Sequence, residues 1–353
     1  MLQEEFNEAA DAWFLLEAGS FPAAPRPVTG GDIAVRSLLP LPVRESAGYS
    51  AHEEDINAAI LILSQSPAAR QLAVAALNAG YAIFVDPPVM GGAGAAHEAE
   101  AMGAADHVNK RIHLRSGAAP QSLALVLAHE LAHISQIVNG GLDLDIRHSH
   151  PAHSIKQLLA MEADARAREM QVAIELSYAA KDDPAERLLF PDMVAIATRD
   201  IGTAMIGGLM ERAAPRLPHD IGVDKIMAGV FKSFYGSPSM RAHYEATILE
   251  ALNRTEDADL KNPALFTGSM TTAALVSRLD GHLTPAYIAP QAPHYIDLDS
   301  SIFNSVSPET RDKIAALGAA RGENHDWHLP VYGVIPAASK PLTNPSAAPR
   351  RAP

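Results

Sequence analysis

Apolar residues recur with the helical repeat along most of the chain, and this pattern predicts a mainly helical protein. The predicted helices cover residues 1–19, 53–79, 120–139, 154–180, 185–213, 221–235, 238–253 and 307–320. The third of them begins at Pro120 and is followed by Gly140 and Gly141, residue types that start and end helices. It is the helix on which the candidate chemistry lies.

Two short segments have the character of β-strands. Tyr81–Asp86 (YAIFVD) is an apolar run stopped by two prolines, which predicts a buried strand. His107–Arg115 (HVNKRIHLR) alternates between apolar and polar positions, which predicts a half-exposed strand at a sheet edge. We therefore expect an α+β fold in which a small sheet packs on the helix at 120–139, with a helical C-terminal region.

Proline- and glycine-rich stretches suggest four parts of the chain. Residues 1–65 are predicted to be a helical and irregular extension, because five prolines fall within 20–50. The core is predicted over 66–180 and a helical C-terminal region over 181–336. The tail at 337–353 is rich in proline and alanine, and we expect it to be disordered.

Composition restricts the classes of function. The 353 residues carry a formal net charge of −13, which argues against a nucleic-acid partner because phosphate binding needs a basic face. There is no cysteine, so a metal must be held by nitrogen and oxygen ligands. No apolar run is long enough for a membrane span, and the N-terminus lacks the basic start of a secretory signal. We expect no membrane partner and a cytoplasmic location, with signal-less export left open; the oligomeric state is not predicted.

The segment from Ala124 to Gln136 contains an HExxH motif, formed by His129, Glu130 and His133. Positions i and i+4 of a helix share one face, so the two imidazoles can bind a single zinc ion. Glu130 lies beside them, where its carboxylate can take a proton from the water that the zinc activates. The flanking residues are apolar, and buried imidazoles and carboxylates are costly without a partner such as a metal.

A catalytic zinc ion needs a third protein ligand. Glu162 lies in an alanine-rich part of the next predicted helix, which can pack closely against the first. Asp164 is the competing carboxylate, either as the ligand itself or as the acceptor for the N–H of a ligating histidine. The intervening loop adds a second candidate metal-binding group, for which a solvated loop is the alternative: His148, His150 and His153.

The sequence HELAHISQ followed by EADARA resembles the bacterial zinc metallopeptidase domains of the DUF6782-like group. An HExxH motif on one helix and a glutamate on the next is also similar to the gluzincin metallopeptidases. The resemblance covers about residues 66–180 and implies a zincin-like core. It implies that His129, His133 and Glu162 hold Zn²⁺, that Glu130 is the catalytic base, and that the substrate is a protein or peptide.

One residue departs from the related pattern. The chain is more distantly similar to ImmA/IrrE-like peptidases, which commonly show Glu-x-x-Ala-Asp or Glu-x-x-Ala-Asn. Glu162 and Ala165 match this pattern, but Arg166 stands where the acidic or amide residue would be. Asp164 is left to take that role.

The family also suggests an edge strand that aligns the peptide substrate. His107–Arg115 is the candidate for this strand, and the alternative is that it is only a protected sheet edge.

A donor that stabilises the oxyanion is expected as well. Three C-terminal residues are candidates for it, although each is more often a packing residue: Tyr235, His243 and Tyr244. Another group of polar residues can either approach the active site or cap a loop, and we favour the loop. The group consists of His325, Asp326 and His328. Two other functions stay open, namely a non-catalytic metal-stabilised module that binds a partner protein, and a protein that binds no metal.

Overall fold

The computed structural model describes the residues that build the sheet and the helices around it. These are residues 53–86, 103–115, 117–142, 149–179, 223–236, 238–255, 271–280 and 297–320, with the short segments 26–27, 43–45 and 265–266 and positions 41, 193, 197, 259 and 262. The predictions that lie outside them are helix 1–19, most of helix 185–213, the tail at 337–353, His148, His325, Asp326 and His328.

Five short strands form one mixed sheet in the described part of the chain, in the order β1-β2-β3-β5-β4. The strands are β1 (Arg26–Pro27), β2 (Val43–Glu45), β3 (Ala82–Asp86), β4 (Gly103–Asp106) and β5 (Arg111–Arg115). The central strand β3 runs parallel to β2 and β5, whereas β4 is antiparallel to β5 and β1 to β2. With the helices below, this confirms a mainly helical α+β protein with a small sheet.

The second predicted strand was wrong in its extent and its position. Only Arg111–Arg115 is a strand, and it lies inside the sheet between β3 and β4 with its three central residues buried. His107–Lys110 is instead the turn from β4, in which the Asp106 carboxylate accepts hydrogen bonds from the Asn109 backbone N–H and side-chain amide, both at 2.8 Å. The edge strand on this side of the sheet is β4, whose sequence GAAD has little intrinsic strand preference.

The predicted single helix over 53–79 was also wrong, because the chain forms two helices bent by 117°. These are α1 (Glu53–Leu63) and α2 (Pro67–Asn78). Pro67 cannot continue a helix but suits the first position of one. Ser66 caps α2 by accepting from the Ala69 N–H at 3.0 Å. No single described helix is long and apolar enough to cross a membrane, and only this bent pair together reaches that length and composition, as buried core helices also can.

Two long helices follow the sheet. Helix α3 (Pro120–Val138) packs against β4, α1 and α2, and α4 (Pro151–Ala179) packs along α3. The described C-terminal helices are α5 (Val223–Gly236), α6 (Pro238–Arg254), α7 (Thr272–Asp280), α8 (Ser301–Asn304) and α9 (Pro308–Ala320). Both α5 and α6 pack on α4, so the core continues past the two long helices.

Helix α3 ends at the glycines that the sequence indicates. Gly141 has a φ of 61°, and the Leu142 N–H donates to the Gln136 carbonyl at 3.1 Å. A Cβ atom on Gly140 would lie 2.5 Å from the Gln136 carbonyl oxygen and 2.7 Å from that of Arg278 on α7. The end of α3 is therefore fixed by close backbone contact with the C-terminal region.

Several contacts join segments that the sequence assigns to different domains. Strand β2 and helix α1 belong to the predicted extension at 1–65, yet β2 pairs with β3 and α1 packs on α3. Helices α5 and α6 belong to the predicted region at 181–336, yet they pack on α4. The domain boundaries themselves stay predictions.

Candidate metal centre

Helix α3 places His129 and His133 on one face, one turn apart. Their rings are 4.7 Å apart between centroids and nearly perpendicular, at 84°. Their Nε2 atoms face each other at 3.1 Å. Both side chains are buried, so two imidazole nitrogens that are metal ligands elsewhere in proteins converge in a largely dry site.

Glu162 approaches the two imidazoles from α4. Its Oε2 atom lies 3.5 Å from His129 Nε2, and its Oε1 atom lies 3.4 Å from His133 Nε2. The carboxylate is buried as well. The residues brought together by the structure are thus the three that the sequence singled out as ligands.

The spacing of these atoms can be compared with that of a zinc site. Ligand atoms 2.0–2.1 Å from a tetrahedral zinc ion are about 3.3 Å from one another. The two imidazole nitrogens are 3.1 Å apart, and each lies 3.4–3.5 Å from a different oxygen of the Glu162 carboxylate. One donor atom from each of the three residues can be chosen so that all lie within 4.8 Å of one another. The donor set of two imidazoles and one carboxylate is also one that zinc accepts, with a fourth position left for water or substrate. The residues therefore fit a zinc ion.

Asp164 on α4 contacts Gln136 of α3, next to the site. Its Oδ2 atom accepts a 2.8 Å hydrogen bond from the side-chain amide of Gln136. The Gln136 Oε1 atom in turn lies 3.0 Å from His133 Nδ1, where it can accept the imidazole proton. Asp164 thus reaches His133 through Gln136, a residue that the sequence analysis missed although it lies three positions after His133 on the same helix.

A second missed residue, Glu169, lies behind His129. Its Oε2 atom is 3.5 Å from His129 Nδ1, too long for a full hydrogen bond but close enough for an ion pair. The same oxygen accepts a 2.9 Å hydrogen bond from Arg166 Nη1. The side chain of Glu169 is only 2% exposed, whereas that of Arg166 is 23% exposed. Glu169 lies two helical turns after Glu162 and so shares its face, which is the signal that spacing could have offered.

These contacts perturb the acidities of the buried groups. Burial acts to lower the pKa of His129, as does the charge of Arg166, but Glu162 and Glu169 outweigh both and raise the pKa to about 9. Burial alone would raise the pKa of Glu162, yet the charges and hydrogen bonds of the two histidines hold it well below its usual range. Without a metal the site therefore keeps a cation between its carboxylates, and a metal ion would displace that proton.

Glu130 is buried on α3, where the edge strand comes close to it. A Cβ atom on Gly103 of β4 would lie 3.3 Å from Glu130 Cγ and 3.4 Å from Glu130 Oε1. The same atom would lie 2.4 Å from Val126 Cγ1, a distance that real Cβ atoms do not tolerate. The absence of a side chain at Gly103 therefore lets the strand run directly beside the carboxylate.

The other predicted candidates have different surroundings. The Tyr244 hydroxyl donates a 2.9 Å hydrogen bond to Glu162 Oε2, and His243 is exposed beside the Tyr244 ring. Tyr235 is stacked on Phe231 at 5.5 Å in an aromatic cluster. Of the histidine group, His150 directly precedes α4 and its carbonyl accepts from the Ser154 N–H, whereas His153 lies in the first turn of α4. The His150 and His153 rings are 5.9 Å apart, more than two turns before Glu162.

Comparison with known proteins gives one family. Residues 42–278 match the family described as "Putative metallopeptidase family (DUF6782)". No curated protein and no solved structure matches the chain. The matched segment is more than half of the chain and includes both α3 and α4, and a metallopeptidase requires a metal that His129, His133 and Glu162 can hold. The chain therefore belongs to the DUF6782 family, the one described as putative metallopeptidases.

Proposed function

We propose that this protein is a zinc-dependent peptidase of the gluzincin type, with His129, His133 and Glu162 as ligands and Glu130 as the general base. The observation that carries the proposal is the convergence of two imidazole nitrogens, 3.1 Å apart, with the Glu162 carboxylate, whose two oxygens lie 3.5 Å from His129 Nε2 and 3.4 Å from His133 Nε2. Family membership supports the peptidase class and a peptide or protein substrate. The proposed base, Glu130, directly follows the ligand His129 in the sequence and is buried on the same helix.

When bound, zinc would lower the pKa of a coordinated water towards neutrality and polarise the scissile carbonyl. The protein's own part is to move the proton. Glu130 takes a proton from the attacking water and passes it to the leaving amine nitrogen. Because the carboxylate is buried against β4 and α3, its position relative to the imidazoles is fixed before substrate arrives.

The edge strand gives the substrate a place to align. Among the described strands, β4 is paired on one side only, with β5, and it passes Glu130 at Gly103. An extended peptide can add to such an edge through backbone hydrogen bonds, with its carbonyls presented towards the metal ligands. In this proposal the aligning strand is Gly103–Asp106 instead of the predicted His107–Arg115.

The test compares the wild type with Glu130→Gln. We expect both proteins to bind one zinc ion and to melt at similar temperatures, while the variant loses about 10²–10⁴-fold in the hydrolysis of a peptide pool followed by mass spectrometry. Glu54→Gln, which changes an exposed glutamate on α1, is the matched control and should keep full activity.

Three outcomes would contradict the proposal, each in a different way. Full activity in Glu130→Gln would show that Glu130 is not the general base. Zinc binding by the wild type without turnover of any peptide would favour the non-catalytic module. Failure of tag-free wild-type protein to bind zinc, with His129→Ala indistinguishable from it, would remove the metal centre itself.

A further inference from the structure

The C-terminal helix α6 contacts the candidate metal centre through the hydroxyl of Tyr244. Tyr244 Oη donates to Glu162 Oε2 at 2.9 Å, and both side chains are buried. Glu162 Oε1 faces His133 Nε2 at 3.4 Å. The tyrosine hydroxyl therefore holds the carboxylate oxygen that lies 3.5 Å from His129 Nε2, while the other oxygen faces His133.

The chemistry of a phenol limits what Tyr244 can do at the same time. A tyrosine hydroxyl has one proton to donate, and here that proton is given to Glu162. It is not available to an oxyanion while this bond persists. The bond instead restricts rotation of the carboxylate, which is otherwise a broad and soft torsion.

The ring and its helix are themselves fixed. The Tyr244 ring packs against Phe234 at 5.6 Å between centroids. One position later, Glu245 Oε2 accepts from the Ser307 N–H at 2.9 Å and from the Thr310 hydroxyl at 2.7 Å, at the start of α9. Three positions earlier, Arg241 donates to Ser305. These contacts on α6 set the helix rotation that aims the Tyr244 hydroxyl at the centre.

We propose that Tyr244 is a positioning residue for the metal ligand Glu162, and that the C-terminal helices therefore determine the metal affinity of the site. The inference rests on the proposed function, in which Glu162 is a ligand. Hydrogen bonds that orient a ligand are commonly worth about 10–100-fold in metal affinity. The C-terminal region thus completes the site instead of forming a separate unit.

The experiment measures zinc affinity by competition with a chelator, in full-length protein. Tyr244→Phe keeps the ring and its packing and removes only the donor, so we expect zinc binding to weaken about 10–100-fold. Tyr235→Phe is the matched control, because that hydroxyl is buried with no hydrogen-bond partner among the described residues. It should leave the affinity unchanged. The visible spectrum of Co²⁺-substituted protein should shift for Tyr244→Phe and not for Tyr235→Phe.

A double-mutant cycle tests whether Tyr244 acts through Glu162. In a Glu162→Gln background two imidazoles still bind zinc weakly, and Tyr244→Phe should cause no further loss there. A further loss would overturn the inference, as would a Tyr244→Phe protein with wild-type affinity, including one that loses only kcat. Absence of zinc binding by the wild type would instead overturn the proposed function and this inference together. Melting of the metal-free proteins shows whether each variant is folded when its affinity is measured.

Discussion

Replacing Gly103 with alanine adds one methyl group where β4 crosses the helix that carries the HExxH motif. The new Cβ atom would lie 2.4 Å from Val126 Cγ1. Valine has two branches on its β-carbon and cannot swing aside within a helix without leaving its preferred rotamer. Either β4 or α3 must therefore move apart, and the sheet and the helix separate next to Glu130.

The magnitude follows from known costs of overpacking. Inserting one methyl group into a packed contact destabilises a protein by about 1–3 kcal/mol. With an m-value of about 3 kcal/mol per molar urea, the unfolding midpoint should fall by roughly 0.3–1 M. Val126→Ala alone should cost about 1 kcal/mol, because Val126 is only partly buried.

The compensating double variant distinguishes this clash from a general weakening. Gly103→Ala with Val126→Ala removes the colliding methyl group, so the double variant should be about as stable as Val126→Ala alone. The assay is urea unfolding of the metal-free protein, with the m-value checked for constancy. If the two effects simply add, or if Gly103→Ala leaves the midpoint unchanged, the close approach of β4 to α3 is refuted.

Three further predictions concern other contacts. Glu169→Gln should weaken zinc binding about 10-fold or more by removing the charge beside His129, measured by chelator competition. Burial lowers the pKa of His107 in the folded protein to about 3. Below about pH 6.5 the unfolded chain therefore binds a proton at this imidazole before the folded protein does, and the free energy of unfolding should fall as the pH drops. Urea midpoints measured across this pH range should depend less on pH in His107→Asn. Gly140→Ala should cost at least as much as Gly103→Ala, because its Cβ would meet two backbone carbonyl oxygens, that of Arg278 among them, and thermal melting would show the loss.

The sequence could predict those residues of the site whose relative positions follow from the repeat of a single helix. His129 and His133 had to share a face once the segment was a helix, and that follows from i, i+4 spacing. Glu162 could be proposed because a close, alanine-rich helix was expected next. Gln136 and Glu169 lie on the same faces, but many polar residues do, and only the packing of α3 on α4 selects them.

Tyr244 illustrates a different limit. It lies 82 positions from Glu162 along the chain, and the sequence offered it only as one of three candidates for an oxyanion donor. Which residue the Tyr244 hydroxyl contacts depends on the orientation of α6 about its own axis relative to α4. Contacts such as that of Glu245 with α9 set this orientation. Side-chain direction over such a separation is a tertiary property, and no local pattern encodes it.

In the fold, too, some features could be predicted from local sequence and others depend on tertiary packing. The break at Pro67 was available in the sequence, because proline favours the first turn of a new helix, yet the continuous apolar pattern concealed it. The edge strand Gly103–Asp106 was not available, since glycine and alanine have weak strand preference. Its composition is instead explained by its neighbour, because a larger side chain at Gly103 would collide with α3.

Charge balance gives a physical reason for the Arg166 departure. A zinc ion with neutral imidazoles would be balanced by the carboxylates of Glu130 and Glu162, so an additional buried carboxylate behind His129 would leave the centre negative. Glu169 is such a carboxylate, with its side chain 2% exposed, and Arg166 neutralises it through a 2.9 Å hydrogen bond. The resemblance implies an acidic or amide residue at the position of Arg166, whereas here the buried acid is Glu169, one turn later. An unpaired charge at Glu169 would be costly, and Arg166 is the cation that pairs with it.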